Sequence, residues 1–257
     1  MSERYVSLGN QQLYCRFYVE PFNPGQPTIV LLHEALGSVA QWRDFPMRVA
    51  EKTGLHVMAF DRLGHGQSSG AIKKRGLDYL HIEAWEVLPV LFQQLEIPYP
   101  ILYGHSDGGT IALLYAVRFP TQALITEGAH VFVEEITLQG VRDASMRKDF
   151  LIEKLTRFHA EKTGNLFIAW ADTWLDPVFK NWNIEGLLPD ISCPALILQG
   201  ENDEYGTRAQ VDRIVAGIGK KTQGLLIPEC GHAPHKEIQD SVIKEIHAFL
   251  HQLQSEQ

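Results

Sequence analysis

Six short, continuous apolar runs alternate with longer amphipathic stretches, and that alternation leaves few folds open to this chain. The runs are 28–32, 56–60, 101–103, 123–125, 195–198 and 225–227. Continuous rather than alternating apolarity suits strands buried on both faces of a parallel sheet. Pro27, Pro100, Pro194 and Gly224 stand at or beside the starts of these runs, where a turn must lead into a strand. Helical spacing is read over 39–53, 78–96, 108–118, 206–217 and 239–253. Pro120 should stop the third of these, and Pro89 should kink or split the second. Segments 4–8 and 13–19 read as a hairpin at the antiparallel edge of the sheet. The fold class expected is α/β, doubly wound around a mostly parallel sheet.

Residues 131–187 break the rhythm. They carry helical stretches and many aromatic rings, Trp170, Trp174 and Trp182 among them, but no convincing buried strand. This segment reads as a helical lobe inserted in a discontinuous core made of 1–130 and 188–257.

Charge and cysteine content narrow the function classes. With 23 Lys+Arg against 31 Asp+Glu, the 257-residue chain has a net charge of −8. An acidic surface disfavours nucleic acid and anionic membrane as partners, and no run of apolar residues is long enough to span a bilayer. The start of the chain lacks the apolar stretch of a secretion signal. Cys15, Cys193 and Cys230 form no close pair, so reduced thiols in a cytoplasmic protein are expected. Cys230 reads as an inert, small apolar residue. Lys73-Lys74-Arg75 reads as a run of solvated loop charges, and Leu77, Tyr79 and Trp85 as core.

The strongest chemical signal is Gly104-His105-Ser106-Asp107-Gly108, a Gly-x-Ser-x-Gly pattern between an apolar strand and a helix. That context marks a turn lifting a nucleophile, Ser106, above the sheet, with glycines where the chains cross closely. A serine hydroxyl needs a base. His232 follows the last apolar run and precedes the last helix, so it sits at the carboxyl edge of the sheet beside Ser106. The acid that orients the base should lie between them in the chain. The loop after 195–198 offers Glu201, Asp203 and Glu204, of which Asp203 is preferred. Two amides are needed for an oxyanion. One should be the N–H of Asp107; the other should come from the loop after 28–32, with Ala35 ahead of Glu34.

Four ordered landmarks span essentially the whole chain: Leu32-His33-Glu34 with Gly37-Ser38, Asp61 to Ser68, Gly104 to Gly109, and Gly200-x-x-Asp203 followed by Gly231-His232. Together they resemble the α/β-hydrolase family of serine hydrolases, in its cofactor-free esterase, lactonase and C–C hydrolase subgroup. The resemblance implies that 131–187 is a cap over the site and that the Asp61–Ser68 loop is mainly architectural. It implies cleavage of a small carboxylic ester, thioester or lactone through an acyl-enzyme on Ser106. A C–C hydrolase of ring-fission ketones, or a catalytically silent small-molecule receptor, are the alternatives. No cofactor and no metal are expected, and monomer or homodimer stays open. Two departures stand out: Glu34 replaces the usual Gly after His33, and a carboxylate, Asp107, follows the nucleophile. The Asp107 side chain is expected to take N–H groups at the helix start. Glu34, His130, Trp170 and Trp174 are candidate substrate-binding residues; Trp170 and Trp174, four apart, share a helix face.

Overall fold

The computed structural model describes residues 1–70 and 75–255. All six apolar runs become strands, and a hairpin adds two more. The strands are β1 (Ser2–Leu8), β2 (Gln11–Phe17), β3 (Thr28–Leu32), β4 (His56–Phe60), β5 (Ile101–His105), β6 (Ala123–Glu127), β7 (Ala195–Gly200) and β8 (Thr222–Ile227). They lie side by side in the order β1-β2-β4-β3-β5-β6-β7-β8. The β1–β2 and β2–β4 pairs are antiparallel; every later pair is parallel. Every residue of β3, β5, β6 and β7 is buried, as continuous apolar runs demand. The last strand departs from that expectation. β8 pairs only with β7, and most of its residues stay partly or fully exposed at the sheet edge.

The helices are α1 (Phe45–Thr53), α2 (Tyr79–Ile82), α3 (Leu88–Gln94), α4 (Asp107–Arg118), α5 (Glu135–Met146), α6 (Lys148–His159), α7 (Thr163–Trp174), α8 (Arg208–Ile218), α9 (Pro234–Glu237) and α10 (Gln239–Ser255). Pro89 does split its helix: a π-helical segment, Glu83–Val87, separates α2 from α3, and Pro89 stands in the first turn of α3. That position leaves its missing N–H where no intrahelical bond is required. α4 is buried from Asp107 to Ala116 because it runs under the sheet centre, so its apolarity extends around the whole helix. Two apolar clusters form the core, one on each face of the sheet. Leu77 is exposed rather than core, whereas Tyr79 is buried.

Between β6 and β7 the chain forms α5, α6 and α7 with short 3₁₀ turns, and a single antiparallel bridge joins Phe132 to Asn183 at its base. The turn after α6 fastens these helices to the core. His159 is fully buried; its Nδ1 accepts the Gly66 N–H at 3.0 Å and its Nε2 donates to Leu36 O at 2.9 Å. Lys162 Nζ donates to three carbonyls, His65 O at 3.2 Å, Gly66 O at 2.6 Å and Ser68 O at 2.8 Å. Removing the ammonium strands those acceptors at a half-buried junction. Lys162→Met is therefore expected to lose about 1–3 kcal/mol in urea unfolding and to speed limited proteolysis within 131–187. An unchanged unfolding midpoint would show that the contact does not hold the helices down.

Candidate active site

The sheet changes winding direction between β3 and β5, because the chain passes from β3 to β4 on one side and returns to β5 on the other. Ligands gather at the carboxyl ends of strands at such a point. Ser106 follows β5 there with φ 54° and ψ −118°, a conformation that a non-glycine residue keeps only when its surroundings enforce it. The glycines explain the enforcement. A Cβ on Gly104 would lie 2.2 Å from Gly108 O, and one on Gly108 would lie 2.0 Å from Leu32 O. The Ser106 N–H donates to Glu127 O at 2.8 Å, tying the turn to the end of β6.

His232 and Asp203 meet directly. The His232 Nδ1–H lies 2.8 and 2.9 Å from the two Asp203 carboxylate oxygens. Asp203 is buried and also takes the Tyr205 N–H at 2.8 Å; Glu201 and Glu204 are exposed. Burial opposes the charged form of His232, but Asp203, with Glu34 and Glu204 behind it, outweighs burial and raises the pKa above 6.5. Burial likewise opposes the Asp203 charge, and His232 overcomes it, holding the carboxyl below its ordinary range. The two loops close on each other tightly. A Cβ on Gly200 would strike Cys230 O and Gly231 O at 2.2 Å, and one on Gly128 would lie 2.9 Å from His232 Cε1. The residue before Ser106 contacts the His232 loop. His105 Nε2 donates to His232 O at 2.9 Å, and the two imidazole rings stand 5.0 Å apart. Among the described residues the Ser106 hydroxyl makes no hydrogen bond.

The loop after β3 is clamped by its carbonyls. Glu34 O accepts from Arg62 Nη2 and from the His33 Nδ1–H, both at 2.7 Å. Ala35 O accepts from Arg75 Nη2 at 3.3 Å, and Leu36 O is the acceptor for His159. Among the described residues no acceptor takes the Ala35 or Asp107 N–H. His33 and His65 are buried and neutral; burial, and then the charge of Arg62, holds both well below 6.5. The Asp61–Ser68 loop is thus architectural in a specific sense. Asp61 takes the Val39 N–H at 2.6 Å and the Gln67 N–H at 2.7 Å, while Arg62 and His65 support the loop after β3.

The two departures in sequence have partners. Glu34 meets Lys236 Nζ at 3.2 Å. Burial would raise its pKa, but Lys236, His105 and His232 hold it well below the carboxylate range. Asp107 does not take N–H groups at the helix start, contrary to the sequence reading. Its carboxylate is buried, accepts the Tyr79 hydroxyl at 3.0 Å, and faces Arg62 at 3.5 Å and Arg75 at 3.8 Å. Arg75 is consequently buried rather than solvated, because a buried carboxylate needs a charged partner; Lys73 and Lys74 lie outside the described residues.

Of the other candidate residues, His130 stands 6.1 Å, ring to ring, from His232 and donates from Nε2 to Tyr205 O at 3.0 Å. Trp174 is buried on α7, with its indole N–H on the Tyr79 hydroxyl at 3.1 Å. Trp170, one turn earlier, lines a cavity of about 340 Å³ beside the site. Cys230 is fully buried, and burial pushes its thiol up to about 12. Sequence reasoning missed the cluster beneath the site. Glu127 is fully buried and takes the Tyr103 hydroxyl and the His235 Nδ1–H, the latter at 2.6 Å. His105, Glu127 and His235 bring ligand-type atoms within 4.8 Å of one another, yet the His235–Glu127 contact is a hydrogen bond and His105 Nε2 is spent on His232 O. Nothing in the sequence marked Glu127 except its place at a strand end.

The family model for the alpha/beta hydrolase fold matches residues 27–191. The chain belongs to the α/β-hydrolase family. Human serine hydrolase BPHL is 28% identical over 237 residues, which cover 88% of this chain and 80% of that protein. A proline iminopeptidase of Lactobacillus delbrueckii subsp. bulgaricus is 29% identical over 203 residues, covering 76% of this chain and 66% of that one. The solved enol-lactonase of Burkholderia xenovorans LB400 superposes with a TM-score of 0.75 at 18% identity, covering 96% and 99% of the two chains, and supports the fold. This α/β-hydrolase is accordingly a hydrolytic enzyme. Among its described residues no helix is long and apolar enough to cross a membrane.

Proposed function

We propose that this hydrolase cleaves small carboxylic esters, thioesters or lactones through an acyl-enzyme on Ser106. The observation that carries the reading is the Asp203–His232 contact at 2.8 Å beside a serine held at φ 54° on a strand-to-helix turn. In this reading His232 Nε2 takes the Ser106 proton as Oγ attacks the carbonyl carbon. The Ala35 and Asp107 amides stabilise the oxyanion. His232 then protonates the leaving alcohol, and water repeats the sequence in the reverse roles. The Ser106 hydroxyl engages the imidazole as substrate enters, since such contacts tighten in the Michaelis complex. Segment 131–187 acts as the cap, and its Trp170 borders the acyl pocket, with His130 supporting the acid loop through Tyr205 O. Glu34 borders the same pocket from the oxyanion loop, whereas Trp174 does not line it and packs instead against Tyr79.

Turnover of p-nitrophenyl esters from two to twelve carbons tests the reaction class; no hydrolysis across that series would overturn it. The reading also fixes a pH dependence. Only neutral His232 can accept a proton, and its pKa lies above 6.5. The acid limb of kcat/KM is expected to have its midpoint above that value. Glu34→Gln removes a charge that favours the imidazolium, so it should move the limb to lower pH. A limb that ignores Glu34→Gln would show that this carboxylate does not act on the base.

A further inference from the structure

We infer that the substrate of this hydrolase carries an anionic group, carboxylate or phosphate, at the end remote from its scissile carbonyl, bound by Arg43, Lys154 and Arg157 at the mouth of the site. The inference rests on the reading of Ser106 as the nucleophile. The cavity of about 340 Å³ opens between the loop after β3 and the α6–α7 side of the cap. Glu34 and Tyr205 line it, and the Tyr205 ring stands 4.8 Å from the His232 ring. Leu151, Leu155 and Trp170 make its walls apolar. Four cations, Arg43, Lys154, Arg157 and Lys236, line it against the single carboxylate of Glu34.

Lys236 is spent on Glu34. The other three form no ion pair among the described residues. Two of them are held by rings instead: Lys154 Nζ lies 4.1 Å from the Phe150 ring centre and Arg157 Cζ lies 4.6 Å from that of Phe158. A cation on an aromatic face keeps its charge and its place. Arg43 has φ 54°, a strained value for a long side chain, and strain of this kind collects at binding sites. On a chain of net charge −8, three unneutralised cations at one opening over low-dielectric walls focus a positive field. Apolar walls ending in that field fit an acyl chain with a terminal anion.

The test compares ethyl hexanoate, monoethyl adipate and ethyl 6-(phosphonooxy)hexanoate, which share an acyl length and differ at the far end. For wild-type enzyme at low salt, KM for at least one anionic ester is expected roughly tenfold below that of ethyl hexanoate, and the advantage should shrink in high salt. The adipate and phosphate arms separate a carboxylate from a phosphate. In Lys154→Glu/Arg157→Glu the anionic-to-neutral ratio of kcat/KM should fall about tenfold or more. Equal KM values for all three esters, or an unchanged ratio in the double variant, would overturn the inference. Calorimetric binding of the same esters to Ser106→Ala keeps the two readings apart. If no ester is turned over, the esterase reading fails, while tighter binding of an anionic ester would still support the cationic mouth and equal binding would refute it.

Discussion

Ser106→Ala is expected to lower ester turnover by about 10⁴-fold or more while leaving the fold intact. The size of the loss follows from how the residues act. A nucleophile, its base and the orienting acid work as one unit, so removing any member forfeits most of the gain. What survives should come from the oxyanion amides and from binding alone. The fold is expected to persist because the turn conformation is enforced by neighbours: Gly104 and Gly108 admit no Cβ, and the residue 106 N–H remains bonded to Glu127 O. His232→Ala and the double variant should be about as inactive as Ser106→Ala alone. If the two single losses instead multiply in the double variant, the residues do not work together.

Acid should unfold this protein sooner than its carboxylates alone would require. His33 and His65 are held well below 6.5, and His105 is held down to about 3, in each case with burial the largest cause. Geometry agrees for His33, whose Nε2 accepts the Arg62 N–H at 3.0 Å and so carries no proton. The sign is set by which state binds protons. Below pH 6.5 the unfolded chain protonates these imidazoles and the folded chain refuses, so stability falls as pH falls, from 6.5 down toward the folded pKa values. Each such histidine contributes about 1.4 kcal/mol per pH unit, and three together about 4 kcal/mol. His232, raised above 6.5, makes a contribution that is fully present below that pH and does not relieve the slope. Glu127, held down to about 2 where burial is outweighed first by His235, loses its own contribution only at lower pH. A domain with about 5–15 kcal/mol in hand should therefore unfold within a few pH units of neutrality. Urea unfolding at pH 7.5, 6 and 5 measures this, and a flat stability across that range would contradict it. His105→Gln should take about one proton out of the slope.

The fold was legible because its strands are buried on both faces and so spell themselves out as unbroken apolar runs. β8 was legible by composition but not in its burial, since an edge position is a property of the whole sheet. Ser106 and His232 stood out as candidates because backbone geometry demands glycines around one and chain order places the other at the same sheet edge. Asp203 was preferred from the sequence over Glu201 and Glu204; its burial and its contact with His232, beside exposed Glu201 and Glu204, are features that no local pattern reveals. The environment of Asp107 was out of reach for a plainer reason. Its partners Arg62, Arg75 and Tyr79 come from elsewhere in the chain, and a short basic run reads as solvated until a buried carboxylate is found for Arg75. The Tyr103–Glu127–His235 cluster was hidden the same way, joining β5, β6 and α9 by contacts that no spacing encodes.

The reaction of the purified enzyme with a fluorophosphonate, mapped by peptide mass spectrometry and timed against His232→Ala, tests the central claim most directly. Rapid, single modification at Ser106, slowed at least a thousandfold (~10³) when the imidazole is removed, is the result expected of a serine activated by its base. Modification elsewhere, none at all, or an equal rate in His232→Ala would contradict it.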